Sequence, residues 1–217
     1  MIKAVIFDMD GLLIDSEPFW SRAFKDAFKT LGVKITYQDM LEIRGFRPSE
    51  SVKHLYLKYR AKGALEKDIE ALLFADMIAM IKSEAKLLPG VHHAFEVCKQ
   101  ALLPMAIASS APDKIIGTAV DSLDIRKFFD HIHSAEYEPY GKPHPGIFIT
   151  TAGLLGVAPN ECLVFEDAPA GVLAAKAAKM KCIAVPEAGL ENNPFIKTAD
   201  IVIGSLEEFD ETMLAGL

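Results

Sequence analysis

Residues 4–18 read Ala4-Val5-Ile6-Phe7-Asp8-Met9-Asp10-Gly11-Leu12-Leu13-Ile14-Asp15-Ser16-Glu17-Pro18. The apolar run that ends at Phe7 is β-branched and aromatic and has no helical period, which predicts a short buried strand. Two carboxylates, Asp8 and Asp10, then stand one residue apart and are followed by Gly11. Such groups repel each other and resist desolvation, so at the end of a buried strand they demand a compensating charge. Gly11 lets the chain turn away at once.

Similar apolar runs recur at residues 104–108 (PMAIA), 162–165 (CLVF), 182–185 (CIAV) and 201–203 (IVI), with a weaker one at 131–133 (HIH). Helix-like segments at 91–102, 113–123, 145–155 and 171–180 separate them. This alternation predicts an α/β fold, a Rossmann-like three-layer core whose parallel sheet is covered on both faces. One region breaks the pattern. From Ser16 to about residue 88 there is no strand run, only helical spacing. Phe19, Ala23, Phe24, Ala27, Phe28 and Leu31 mark one helix, ended by Gly32; Val52, Leu55, Tyr56 and Tyr59 mark a second; Ile69, Leu72, Leu73, Ala75, Met77, Met80 and Ile81 mark a third. The block is too large for a connecting loop. It is expected to be a helical cap domain over 16–86, inserted after the first strand into a core made of 1–15 and 87–217. The linkers would lie near 12–18 and 82–90.

With 217 residues, 51% of them hydrophobic, the chain can bury a sizeable core. A net charge of −7 and the lack of a long basic run argue against nucleic acid as a partner. Cys98, Cys162 and Cys182 sit in apolar contexts without metal-ligand or disulfide spacing, and read as small buried hydrophobes in a reducing compartment. The first apolar run is too short for a signal peptide, and none reaches the length of a membrane span. The expectation is a soluble, cytoplasmic monomer with no membrane partner.

In an open parallel sheet, ligands bind beyond the carboxyl ends of the strands. The polar residues following the apolar runs are Asp8 and Asp10, then Ser109 and Ser110, then Lys142 within Gly141-Lys142-Pro143, then Glu166 and Asp167. The fold would bring these carboxylates, hydroxyls and single ammonium to one edge. Carboxylates grouped in this way raise each other's pKa unless a cation lies among them. Oxygen ligands without His or Cys point to a hard cation such as Mg²⁺. A metal and a lysine can hold a phosphate, with a serine hydroxyl and backbone N–H groups completing the cradle. One carboxylate is then free to attack phosphorus, and the second, two residues on, is placed to protonate the leaving oxygen.

Together these residues resemble the haloacid dehalogenase (HAD) superfamily of phosphatases and phosphomutases. Its DxDG motif matches Asp8-Met9-Asp10-Gly11; its Ser/Thr after an apolar strand matches Ser109; its lysine matches Lys142 in GKPHP; its acidic pair matches Glu166-Asp167 in FEDAPAG. The motifs occur in the family's order across nearly the whole chain. The helical insert resembles the cap of the subgroup containing β-phosphoglucomutase and the sugar-phosphate phosphatases, and the motifs look closest to hexitol-phosphate and 2-deoxyglucose-6-phosphate phosphatases. The resemblance implies hydrolysis of a small phosphate monoester, a sugar or sugar-alcohol phosphate, through an aspartyl-phosphate. Asp8 would be the nucleophile and Asp10 the general acid and then base. Mg²⁺ would take the Asp8 carboxylate, the Asp10 carbonyl and Asp167, with Glu166 as a further ligand. Ser109 and Ser110 would bind the phosphoryl group, and Lys142 would neutralise charge.

Arg44 and Arg47 fall in a polar loop between cap helices and are expected to bind the non-phosphate part of the substrate. Trp20 is expected to pack within the cap or to line the cleft, His92 and His93 to be structural, and His144 to position the Lys142 loop. A phosphomutase is the alternative. Mutase-like sequences usually carry a histidine soon after the first motif, where this chain has Ser16-Glu17-Pro18-Phe19-Trp20, and this favours a phosphatase. Receiver domains use similar groups but place the acidic pair first and the acceptor later, the reverse of the order here.

Overall fold

The first apolar run forms strand β1 (Ala4–Phe7), buried at every position. The structure is a computed structural model and describes residues 1–187 and 189–217. After β1 come helices α1 (Glu17–Lys29), α2 (Tyr37–Glu42), α3 (Pro48–Lys58) and α4 (Glu66–Glu84). The alternation then resumes with α5 (Val91–Gln100), β2 (Met105–Ser109), α6 (Asp113–Ser122), β3 (His131–Ser134), α7 (Gly146–Leu154), β4 (Cys162–Glu166), α8 (Pro169–Ala177), β5 (Lys181–Ala184) and β6 (Ile201–Val202). A short α9 (Glu211–Gly216) follows.

The strands form one parallel sheet in the order β3-β2-β1-β4-β5-β6. The chain winds outward from β1 through β2 to β3, then crosses back to β4 on the other side of β1. That reversal leaves a crevice at the carboxyl ends of the central strands. Side chains alternate between the two faces. Val5, Phe7, Leu163 and Phe165 join α5 and α6 in one core, while Ala4, Ile6, Cys162 and Val164 join α7 and α8 in the other. Phe7 and Phe165 stack with centroids 5.0 Å apart, and Phe209 meets Phe165 edge-on at 4.8 Å. Burial of this kind, at about 25 cal/mol per Å² of apolar surface, is what fixes the register of β1 between β2 and β4.

In the helical block, α1 buries Phe19, Trp20, Ala23, Phe24, Ala27 and Phe28 along one face, and α4 buries Ile69, Leu73, Met77, Met80 and Ile81. These two helices pack together, and α3 packs on α4. Helix α2 is not marked by apolar spacing. It is held instead by Thr36, whose Oγ1 accepts from the Asp39 N–H (3.2 Å) while Asp39 Oδ2 accepts from the Thr36 N–H (2.6 Å). Asp39 is buried and is also reached by Lys58 Nζ at 2.8 Å and the Tyr59 hydroxyl at 2.7 Å. The two connections between block and sheet run side by side: Ile14 bridges Leu87, and the Leu88 N–H donates to the Leu13 carbonyl at 3.0 Å. All three cysteines are free and buried. Among the described residues no helix is long and apolar enough to cross a membrane.

Gly90, at the start of α5, has φ +80, and a Cβ there would lie 2.2 Å from the Glu207 nitrogen and 2.4 Å from the Leu206 carbonyl carbon. Both obstacles are backbone and cannot swing aside. Gly90→Ala should therefore lower unfolding free energy by about 3 kcal/mol, read as a fall in the urea midpoint with unchanged slope.

Candidate active site

Strand ends position the site. Asp8 directly follows β1, and its N–H continues the sheet ladder by donating to the Phe165 carbonyl at 3.0 Å. Its side chain is buried, and Lys142 Nζ donates to Oδ1 at 2.8 Å. The same ammonium donates to Glu166 Oε1 at 2.5 Å and to the Ala108 carbonyl at 3.3 Å. Lys142 thus ties β1, β2 and β4 together at their carboxyl ends, and it lies 5.1 Å from the Phe148 ring centroid. Burial alone would lower the pKa of this lysine; Asp8 and Glu166 override that and hold it above the ordinary lysine range.

Glu166 lies within β4, as its last residue, rather than after the strand. It is completely buried on the α7–α8 side. Both oxygens are occupied: Oε1 by Lys142, and Oε2 by the N–H groups of Asp167 and Ala168, each at 3.1 Å. Burial pushes its carboxyl up and Lys142 only partly offsets this. Asp167 has no such support. Among the described residues no hydrogen bond reaches its carboxylate, and its nearest cation is Arg44 Nη2 at 3.7 Å. Burial first, then Glu166 and Asp8, push its carboxyl well above the usual range. Gly11 makes its position possible: with φ +75, a Cβ at Gly11 would stand 2.5 Å from Asp167 Oδ2.

Asp10 is held differently from Asp8. Ser16 Oγ donates to its Oδ1 at 2.6 Å, Trp20 Nε1 to the same oxygen at 2.9 Å, and Ser109 Oγ to Oδ2 at 3.3 Å. Burial, followed by the charge of Asp8, raises its pKa, and the three donors counteract only part of this. Ser109 ends β2 and also accepts the Ala111 N–H at 3.0 Å. Ser110 lines the cavity and donates to the Gly45 carbonyl at 3.3 Å, joining sheet edge to helical block.

The cavity above these groups has Asp8, Lys142 and Asp167 at its base, while Trp20, Phe24 and Ile43 enter from the helical block. Arg44 lines it too. Its Nη1 pairs with Glu187 at 2.6 Å, and among the described residues its buried Nε and Nη2 have no hydrogen-bond acceptor. Arg47 is placed elsewhere than a substrate-reading role requires. Its Nη1 donates to the carbonyls of Glu138 (2.8 Å) and Ala135 (3.3 Å), its Nη2 meets Glu50 at 2.5 Å, and it does not line the cavity. A proline follows it at the start of α3, and the Ala135 and Glu138 carbonyls hold the guanidinium across the loop that leads to Lys142. His93 contacts the Phe209 carbonyl, His92 packs against Phe95 and Phe128, and His144 packs on Tyr140 and accepts the Gly146 N–H. Sequence reading missed the contact of Ser16 and Trp20 with Asp10. Its trace is their spacing of four residues at the start of a helix.

Oxygens of Asp8, Glu166 and Asp167 approach within 4.8 Å of one another, all buried. Lys142 compensates Asp8 and Glu166, whereas the Asp167 charge is met only at 3.7 Å. An all-oxygen donor set with an uncompensated buried carboxylate fits a hard divalent cation, with Asp8 and Asp167 as the ligands still open to it.

Residues 5–185 match the model of the haloacid dehalogenase-like hydrolases. Hexitol phosphatase B of Escherichia coli K12 is 38% identical over 216 residues, covering 99% of this chain and 97% of its own. The phosphorylated carbohydrates phosphatase of Thermotoga maritima is 31% identical over 182 residues, 84% of each chain. Among solved structures, β-phosphoglucomutase of Clostridium difficile superposes with a TM-score of 0.88 over 100% of this chain and 96% of its own at 24% identity, a likeness of fold. With a family match over residues 5–185 and a 38% identical relative covering 99% of its length, the chain belongs to the haloacid dehalogenase-like hydrolases.

Proposed function

We propose that this protein hydrolyses a small phosphate monoester, a sugar or sugar-alcohol phosphate, through an aspartyl-phosphate on Asp8. The observation that carries the reading is the unequal treatment of two carboxylates two residues apart. Asp8 is paired with an ammonium, which suits a nucleophile, while Asp10 is pushed toward its protonated form, which suits an acid. Relatives named as hexitol and carbohydrate phosphatases support the substrate class.

The Asp8 oxygen attacks phosphorus, and the ester bond breaks with its electron pair on the alcohol oxygen, which takes the Asp10 proton. A water then attacks the phosphorus of the aspartyl-phosphate, losing its proton to Asp10; the bond between phosphorus and the Asp8 oxygen breaks with its electron pair on the carboxylate, and phosphate leaves. Ser109 and Ser110 cradle the phosphoryl oxygens, and Lys142 holds Asp8 in line. Bound at Asp8, Asp167 and the Asp10 carbonyl, Mg²⁺ would offset phosphoryl charge. Residues 16–86 act as a cap over a core of 1–15 and 87–217, closing to exclude bulk water. Arg44, with two buried N–H positions lacking acceptors, binds substrate oxygens; Arg47 braces the cap against the Lys142 loop. Ser16-Glu17-Pro18-Phe19-Trp20 holds no histidine where mutase-like sequences usually carry one, which favours water as the phosphoryl acceptor.

A phosphate-release screen of hexitol and sugar phosphates with Mg²⁺ tests this reading. Release that survives EDTA argues against the metal, and isomerisation without release argues for a mutase. Asp8→Asn should cut release by at least about a thousandfold, since an amide neither attacks phosphorus nor pairs with Lys142. Arg44→Lys should raise KM about tenfold with kcat little changed. Mg²⁺ should raise the Tm of the native protein, and Asp167→Asn should remove most of that shift.

A further inference from the structure

Two donors from one helical turn converge on a single oxygen of Asp10. Ser16 Oγ reaches Oδ1 at 2.6 Å and Trp20 Nε1 reaches it at 2.9 Å. Residues four apart share a helix face, and the turn is closed where the Trp20 N–H donates to the Ser16 carbonyl at 3.0 Å. Ser16 stands at the N-cap of α1, where a hydroxyl commonly accepts from the helix's own N–H groups. Here it makes no such bond. Its hydroxyl is directed at Asp10 instead, so the helix forgoes its cap and the site gains a donor.

We propose that Trp20, together with Ser16, is a positioning residue that fixes which oxygen of Asp10 delivers the proton. The inference rests on Asp10 being the general acid of the proposed reaction. An indole N–H can only donate, and so it requires an acceptor opposite. Two donors hold Oδ1, so Oδ2, which accepts only the longer Ser109 Oγ–H contact, is the oxygen left to carry the acid proton. That oxygen faces Ser109 Oγ at 3.3 Å. The Ser109 hydroxyl already accepts the Ala111 N–H, so its own proton turns onto an arriving phosphoryl oxygen while Oδ2 keeps the acid proton. As the Asp8–phosphorus bond forms and the ester bond breaks, the electron pair goes to the alcohol oxygen. The proton leaves Oδ2 for that oxygen, and the resulting carboxylate keeps both donors on Oδ1. A carboxyl free to rotate would present either oxygen; the clamp removes the unproductive arrangement. Trp20 is 9% exposed and lines the cavity, with the Phe24 ring 6.3 Å away on the next turn, so the indole is held by packing as well.

The test separates proton delivery from all other steps. Trp20→Phe keeps an aromatic ring and removes the donor; Trp20→His returns a ring N–H. For each Mg²⁺-loaded variant, kcat/KM is measured on 4-nitrophenyl phosphate, whose leaving group departs without a proton, and on phenyl phosphate and a hexitol phosphate, whose leaving groups need one. This parameter covers steps only up to alcohol release, so the later use of Asp10 as base does not enter. Trp20→Phe should lose about tenfold more on the two demanding substrates than on 4-nitrophenyl phosphate, and Trp20→His should recover most of that difference. Equal losses on all three substrates, or no loss, overturn the proposal. Thermal melts establish that each variant is folded. Should Trp20→Phe not fold, Ser16→Ala removes the other donor to the same oxygen and must show the same leaving-group dependence. Failure of the underlying reading is seen separately, as wild-type protein that releases phosphate from none of the three.

Discussion

A single ammonium buried between two carboxylates is the constraint on which the sheet edge depends. Lys142 is 5% exposed, and Glu166 is not exposed at all. Moving such charges out of water costs several kcal/mol each, and only close, well-directed partners offset that. The partners come from distant parts of the chain: Asp8 after β1, the Ala108 carbonyl in β2, and Glu166 closing β4. The arrangement requires β1 to lie between β2 and β4, in register, so topology and charge pairing depend on each other. A shift of one residue would turn Glu166 to the other face of the sheet and leave Lys142 with Asp8 as its one carboxylate partner.

Compensation stops one residue later. Asp167 shares the burial of Glu166 but lacks its N–H donors and its lysine. The contrast between adjacent carboxylates gives one a structural role, as a bracket for Lys142, and leaves the other available to a cation. Helix α1 and the turn between α2 and α3 complete the arrangement from the insert. Arg44 approaches Asp167, Trp20 approaches Asp10, and Gly45 accepts from Ser110. The charged floor belongs to the sheet, whereas its orientation and enclosure depend on the helical block.

Much of this was legible in the sequence, for reasons that can be named. Buried parallel strands are unbroken apolar runs, so the polar residue that ends each one stands out; Asp8, Ser109 and Asp167 were found in this way. Lys142 was found through its Gly and Pro neighbours. Helices α1, α3 and α4 showed themselves through apolar spacing. Helix α2, six residues long and held by Thr36 and Asp39, is too short for periodicity to register. Glu166 was placed just past its strand because a carboxylate reads as a strand stop, but a buried lysine lets the strand continue through it. Arg47 was expected to bind the substrate because it falls in a polar loop between helices of the insert. Its partners are backbone carbonyls of Ala135 and Glu138, about ninety residues away, which no local pattern announces. The same holds for the indole of Trp20, whose apolar body predicted packing and concealed its donor.

The chain has one tryptophan, and it is the residue that meets Asp10. Indole emission depends on the charge and polarity around the ring. Indole emission from this protein therefore originates at one place, beside the carboxyl group that gains and loses a proton in the proposed cycle. The active site carries its own optical reporter, and cap movement, ligand arrival and proton transfer would each reach the same chromophore.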